Sequence, residues 1–168
     1  TILRELNFKL EEGQWLGVLG PNGAGKSSLA KCLNASLDYE GEILFDDKDL
    51  KTFANKERAN FVATLAQMTS VSYSYTVKDI VELGLYSRKG YMKSKDNHAV
   101  EEVLSQTGLS DLAERGVLSL SGGELQRVFF AQTLRQNPRL MILDEPTNHL
   151  DLKYQKLLLE GVKSWLDN

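Results

Sequence analysis

The octapeptide Gly20-Pro21-Asn22-Gly23-Ala24-Gly25-Lys26-Ser27 constrains this chain more than any other stretch of it. An apolar run, Gln14-Trp15-Leu16-Gly17-Val18-Leu19, leads into it, and helix-compatible residues from Lys26 to Ala35 follow. Strand, glycine turn and helix in that order make an anion site, because the first amides of a helix lack intrahelical acceptors and carry the positive end of its dipole. Glycines serve where backbone must approach a phosphate or take positive φ. The spacing matches the phosphate-binding loop at every fixed position. In that pattern the amides of Asn22, Gly23, Ala24 and Gly25, and those of Lys26, Ser27 and Ser28 at the helix start, face phosphates. Lys26 reaches the β and γ phosphates of a nucleoside triphosphate, and the Ser27 hydroxyl ligates Mg2+. A glycine-rich turn entering a helix is the competing explanation.

A second constellation lies far along the chain, at Leu140-Met141-Ile142-Leu143-Asp144-Glu145. Four apolar residues read as a buried strand of parallel type, and two carboxylates at its carboxyl end fall on the edge where open α/β sheets bind ligands. Beside a phosphate loop, Asp144 is placed to hold the metal and Glu145 to polarise an attacking water. Taken alone, such acids are equally solvated loop starters or helix caps. Gln67 follows an apolar stretch, Phe61 to Leu65, where its amide can reach both metal and water; alone it is a polar loop residue. His149 is a lone loop histidine and receives no proton-transfer role.

The remaining elements are coarse. Ile2, Leu6, Phe8 and Leu10 share one parity, and Glu11-Glu12-Gly13 signals a turn, so a hairpin leading into the strand at Gln14–Leu19 is expected. Short strands are expected at Glu42–Phe45 and Phe61–Leu65. Helical spacing starts at Thr76 with Val77, Ile80, Val81 and Leu85, and again with Ala99, Val100, Val103 and Leu104, which Gly108 would end. A helix from Glu124 to Gln136 follows Gly122-Gly123, and Asp151 is placed to cap a last helix carrying Leu158, Val162 and Trp165. The sum is an α/β fold: a mostly parallel sheet, an N-terminal antiparallel β part, and a helical subdomain inserted at about 68–120 between catalytic segments 1–67 and 121–168.

Composition narrows the rest. The 168 residues are 42% hydrophobic and 26% charged, as in a folded single domain. A net charge of -3 gives no general reason to bind nucleic acid or anionic lipid, so any phosphate binding is local. One cysteine, Cys32, leaves no intrachain disulfide and no zinc pair; on a helix it reads as a small packing residue. No apolar run approaches the ~20 residues that cross a bilayer. If the chain works at a membrane, a partner holds it there.

Leu120-Ser121-Gly122-Gly123-Glu124-Leu125-Gln126 resembles the signature sequence of ABC (ATP-binding cassette) ATPases, a branch of the phosphate-loop NTPases. A serine and two glycines at a helix start form a second anion site, although alone they are equally a capped helix. With the phosphate loop, Gln67 and the acids of 144–145 in this order, the resemblance covers nearly the whole chain. It implies ATP and Mg2+ as cofactors and ATP hydrolysis, with Glu145 and Gln67 catalytic and Ser27, Gln67 and Asp144 at the metal. It implies that Asn148-His149-Leu150-Asp151 is the D-loop, whose Asp151 couples two sites. It also implies a head-to-tail homodimer around two ATP, with Ser121, Gly122 and Gly123 touching the γ phosphate held by Lys26 of the other copy.

Thr76 to Tyr86 and Glu145 to Gln155 resemble the importer branch that takes up iron-siderophores, haem or cobalamin. That implies integral-membrane permease subunits docked through Gln67 to about Tyr91, with Tyr73, Tyr75, Leu85 and Tyr86 as apolar area. It further implies a substrate-binding protein reached indirectly, no nucleic acid, and a peripheral location on the cytoplasmic face of the membrane. The family's adenine-stacking aromatic and switch histidine normally lie before and after the segment given, which is the expectation of a chain incomplete at both termini. The alternatives are a soluble non-transport ABC ATPase, or an exporter or other-substrate ABC ATPase.

Overall fold

The computed structural model describes residues 3–66, 74–86, 97–148 and 150–167. Helix α1, Lys26–Leu33, begins at the glycine turn and ends at Asn34. Strands β1, Leu44–Phe45, and β2, Lys48–Asp49, form an antiparallel pair. Asp46 and Asp47 join them with φ of 50° and 60°, the two-residue hairpin turn whose twist suits a right-handed ladder. A short 3-10 turn, Leu50–Thr52, precedes helix α2, Asn55–Phe61. Its start is held by the Glu57 carboxylate, which accepts from the Ala54 amide at 2.9 Å.

Strand β3, Val62–Leu65, follows at once. Helix α3, Val77–Glu82, opens with a reciprocal cap: Thr76 Oγ1 accepts from the Asp79 amide, and Asp79 Oδ2 accepts from the Thr76 amide. Helix α4, Asn97–Gln106, is followed by 3-10 turns at Ser110–Leu112 and Val117–Ser119. Helix α5, Gly122–Gln136, ends where Asn137 takes the left-handed conformation at φ 47° ahead of Pro138. Strand β4, Leu140–Leu143, lies parallel to β3, with Val62 opposite Leu140 and Leu65 opposite Leu143. Helix α6, Leu152–Leu166, completes the described chain, its first turn capped by Asp151 Oδ1.

Two apolar clusters hold these elements, and α5 belongs to both. Val128 and Ala131 of α5 pack with Val77, Ile80 and Val81 of α3, Val100 and Leu104 of α4, and Leu109 and Val117. Phe130, 1% exposed, packs with Leu65 of β3 and with Leu150 and Leu158. Polar side chains tie the remaining pieces down. Gln136 Nε2 donates to Ala59 O at 2.7 Å and Val62 O at 3.2 Å, fixing the end of α5 over the α2–β3 junction. Arg139 forks onto both carboxylate oxygens of Asp46, linking the hairpin turn to the start of β4.

Three differences from the sequence reading stand out. The hairpin expected before Gly13 and the strand expected at Gln14–Leu19 are not strands: Trp15 is 75% and Leu19 96% exposed. Apolar alternation makes a strand only where a neighbour supplies ladder bonds, and among the described residues none pairs with this run. The antiparallel pairing sits instead at β1 and β2, which shortens the strand expected at Glu42–Phe45. Phe61 leaves the strand expected at Phe61–Leu65 and becomes the last residue of α2, stacked with Phe45 and edge-on to Phe53.

One close approach carries its own test. Gly84, in the 3-10 turn Leu83–Leu85, lies so near α5 that a Cβ there would come within 2.5 Å of the Gln132 carbonyl oxygen and 3.1 Å of Arg135 Cβ. Gly84→Ala should therefore cost about 1–3 kcal/mol by overpacking. The check is a lower urea midpoint with an unchanged slope.

Candidate functional site

Gly25 stands at the start of α1 with φ 99°, and Gly23 takes φ 80°, so the turn uses its glycines where other residues would be strained. Lys26 Nζ donates to Gly20 O at 2.8 Å and Pro21 O at 3.1 Å, which folds the ammonium back across the turn. An arriving phosphate offers that ammonium a charged acceptor in place of two neutral carbonyls. The amides of Lys26, Ser27 and Ser28 occupy the first turn of α1, where the helix supplies no acceptor. Asn22 and Gly23 are exposed at the mouth. Ala24 differs from expectation, since its amide donates to Pro21 O at 3.2 Å and closes the turn instead of facing outward. The donor set, one ammonium, first-turn amides and a serine hydroxyl, fits a polyphosphate with a hard cation.

Asn34 Nδ2, at the far end of α1, donates to Thr64 Oγ1 at 3.2 Å, so the helix leaving the glycine turn is pinned to β3. Asp144 and Glu145 leave the carboxyl end of β4, beside β3. The Asp144 amide donates to Leu65 O at 3.0 Å, extending the parallel ladder by one step and fixing where the acids emerge. Glu145 takes φ 50°, a left-handed conformation that costs a non-glycine residue about 1–3 kcal/mol and persists only where its surroundings enforce it. Asn148 Nδ2 donates to Glu145 Oε2 at 2.7 Å. Gln67, Tyr73, Tyr91 and His149 lie outside the described residues.

The signature stretch forms the start of α5. Ser121 Oγ accepts from the Glu124 amide at 3.3 Å, while Glu124 Oε2 accepts from the Ser121 amide and hydroxyl at 2.7 Å each. The Ser121 hydroxyl is thus engaged within its own cap. Gly122 is exposed, with open space where a Cβ would be, so the first amides of α5 are presented outward. The hydrogen bonds from Ser121 hold the Glu124 carboxyl below the ordinary carboxylate value. Asp151 is engaged as the cap of α6, its Oδ1 accepting from the Tyr154 amide at 3.0 Å.

Sequence reasoning passed over the side chains that join these pieces. Gln126 Nε2, from α5, donates to Pro146 O at 2.8 Å and so fastens the signature helix to the loop after Glu145. Gln155 Nε2, from α6, donates to Leu150 O at 3.0 Å and Thr147 O at 3.4 Å. Arg127, 5% exposed, lies 3.7 Å over the Tyr154 ring and donates through Nη1 to Gly108 O at 2.8 Å and Thr107 O at 3.3 Å. No periodicity marks these residues. A charged Arg127 directly before the apolar run Val128-Phe129-Phe130-Ala131 is the one visible hint.

The family model of ABC transporters matches residues 3–148. An uncharacterised ABC transporter ATP-binding protein of Bacillus subtilis, YvrA, is 40% identical over 96% of this chain and 38% of its own length. A cobalamin import ATP-binding protein of Halobacterium salinarum is 36% identical over 99% of the chain and 42% of its own length. A hemin import ATP-binding protein of Pseudomonas entomophila is 38% identical over 99% of the chain and 67% of its own length. Among solved structures, the ATP binding subunit of an ABC transporter superposes with a TM-score of 0.86 at 22% identity, covering 99% of this chain and 69% of that one. A bacterial Atm1-family ABC exporter with ATP bound gives 0.83 at 29% identity, covering 98% and 30%.

The fold is that of the phosphate-loop ABC ATPases, mixed helices and strands around a parallel pair. The chain belongs to the ABC transporter family. It spans less than half the length of the first two relatives, 38% and 42%.

The Ser121–Glu124 cap makes a prediction with a definite sign. Because the folded carboxyl titrates below its ordinary value of 4.5, its stabilisation is complete above that value and is lost as pH falls through the folded one. Glu124→Gln should remove that loss, flattening stability against pH on the acid side. Denaturant midpoints measured across the carboxylate range, wild type against variant, make the check.

Proposed function

We propose that this chain is the ATP-binding and ATP-hydrolysing part of an ABC importer, coupling hydrolysis to uptake of a substrate of the iron-siderophore, haem or cobalamin class. The observation that carries the reading is that one chain holds a lysine-bearing glycine turn opening α1, a tie from the far end of α1 to β3, and two carboxylates emerging from the carboxyl end of β4 next to β3. The import of hemin and of cobalamin by two relatives supports the direction and the substrate class.

In this reading Lys26 exchanges its two carbonyl partners for the β and γ phosphates, and the amides of Gly23, Gly25, Lys26, Ser27 and Ser28 take the remaining oxygens. Mg2+, when bound through Ser27, Asp144 and Gln67, neutralises charge on the phosphates. Glu145 accepts a proton from the attacking water. A second copy, head to tail, contributes the exposed start of α5 at Ser121, Gly122 and Gly123, with Asp151 near the seam. Permease subunits dock through the region from Gln67 to Tyr91, where Tyr75 and Tyr86 are exposed among the described residues. No described helix is long and apolar enough to cross a membrane. An exporter is the second reading, favoured by the fold match to an exporter with ATP bound.

Glu145→Gln should lower the ATPase kcat by about 10²–10⁴-fold while nucleotide still drives dimerisation, which light scattering reads directly. Retained hydrolysis would remove Glu145 from the chemistry. Lys26→Ala should abolish binding of magnesium nucleotide in calorimetry. Copurification of a permease together with a substrate-binding protein separates importer from exporter.

A further inference from the structure

Glu145 must present its carboxylate in one orientation if it acts on a water, and its own side chain has three rotatable bonds that do not enforce one. We propose that Asn148 is a positioning residue for Glu145, its side-chain amide holding that carboxylate in its working orientation. The proposal rests on the reading of Glu145 as the group that accepts a proton from water.

The geometry supports this from both sides of the contact. Asn148 Nδ2 donates to Glu145 Oε2 at 2.7 Å, and the Asn148 amide donates to Glu145 O at 3.2 Å, so side chain and main chain of the same two residues close on each other. Facing a carboxylate, only the NH2 edge of the amide is tolerated, since its oxygen would set two acceptors together. A bond to a charged acceptor fixes direction more firmly than one between neutral groups.

Asn148 is itself held. Gln126 Nε2 grips Pro146 O from α5, and Gln155 Nε2 grips Leu150 O and Thr147 O from α6, so carbonyls on both sides of Asn148 are tied to different helices. Among the described residues of this loop Glu145, at φ 50°, is the one in the left-handed region, which aims its side chain where an extended residue would not. The loop therefore sets where the Glu145 side chain starts, and Asn148 sets where it ends. A misplacement of about 1 Å at a reacting group costs on the order of a hundredfold, which sizes the expected effect.

The test is Asn148→Asp in the full-length protein. Aspartate keeps the size of asparagine and its preference for turns but replaces the donor with a second anion. The expected result is a kcat lower by about ten- to a hundredfold, a KM for Mg-ATP within about twofold of wild type, and an unfolding temperature lower by only about a few degrees. A crystal structure of the nucleotide-free variant should show the Glu145 carboxylate turned away from residue 148 with the loop backbone in place. A role confined to shaping the turn predicts that aspartate works as well as asparagine. A kcat within about twofold of wild type, or a carboxylate that has not moved, overturns the proposal. Should the aspartate variant fail to fold, Asn148→Ala carries the same expected loss, and near-wild-type kcat there overturns the proposal equally. A wild-type protein without ATPase activity would strike the functional reading instead, while the carboxylate position in the nucleotide-free variant still decides whether Asn148 holds it.

Discussion

Helix α5 is the constraint on which the other elements depend, because its opposite faces complete two different apolar clusters. Val128 and Ala131 close the cluster of α3 and α4, and Phe130, on the turn between them, closes the cluster of β3 and α6. Neither cluster could bury its residues without the helix, and burial of this kind supplies most of what stabilises a helix in water. The start of α5 carries Ser121, Gly122 and Gly123, and its end reaches the α2–β3 junction through Gln136. A single rigid rod thus sets the distance from the signature tip to the strand pair that delivers Asp144 and Glu145.

The polar contacts from α5 act at the same joints. Gln126 reaches the loop after Glu145, and Arg127 reaches the end of α4 and the Tyr154 ring of α6. A buried guanidinium is tolerated only where carbonyls and an aromatic face replace water, and Arg127 has two carbonyls and one ring. One side chain of α5 thereby links the end of α4 to the first turn of α6.

The sequence revealed most where local chemistry and tertiary structure agree. The start of α3 at Thr76 was legible because Val77, Ile80 and Val81 recur at helical spacing and are buried together, and β4 because four apolar residues end at two acids. Helix α2 was missed for the converse reason: Ala54 has no capping side chain, and Glu57 does the work from within the helix. The β1–β2 hairpin was missed because Asp46-Asp47 lacks the glycine that usually announces such a turn. The run at Gln14–Leu19 misled because alternation records a tendency to pair and cannot record whether a partner is at hand. At the site, the phosphate loop, the paired acids and the signature were visible as residue types at fixed spacing. Asn148, Gln126 and Gln155 were not, since their significance lies in which carbonyl or carboxylate each meets.

The backbone at residues 75–77, where α3 begins, meets the backbone at residues 115–117, ahead of α5. Thr76 bridges Gly116, with the Val77 amide on Arg115 O and the Val117 amide on Tyr75 O. Two strands of backbone that touch at their bases fix the ends of everything strung between them. The face of this segment that carries Val77, Val81, Val100 and Leu104 is bound to α5, whereas its exposed side chains are free, in evolution, to change without altering the spacing between the glycine turn and the acids. Diversity in what such a chain attaches to can accumulate there while its chemistry stays where it is.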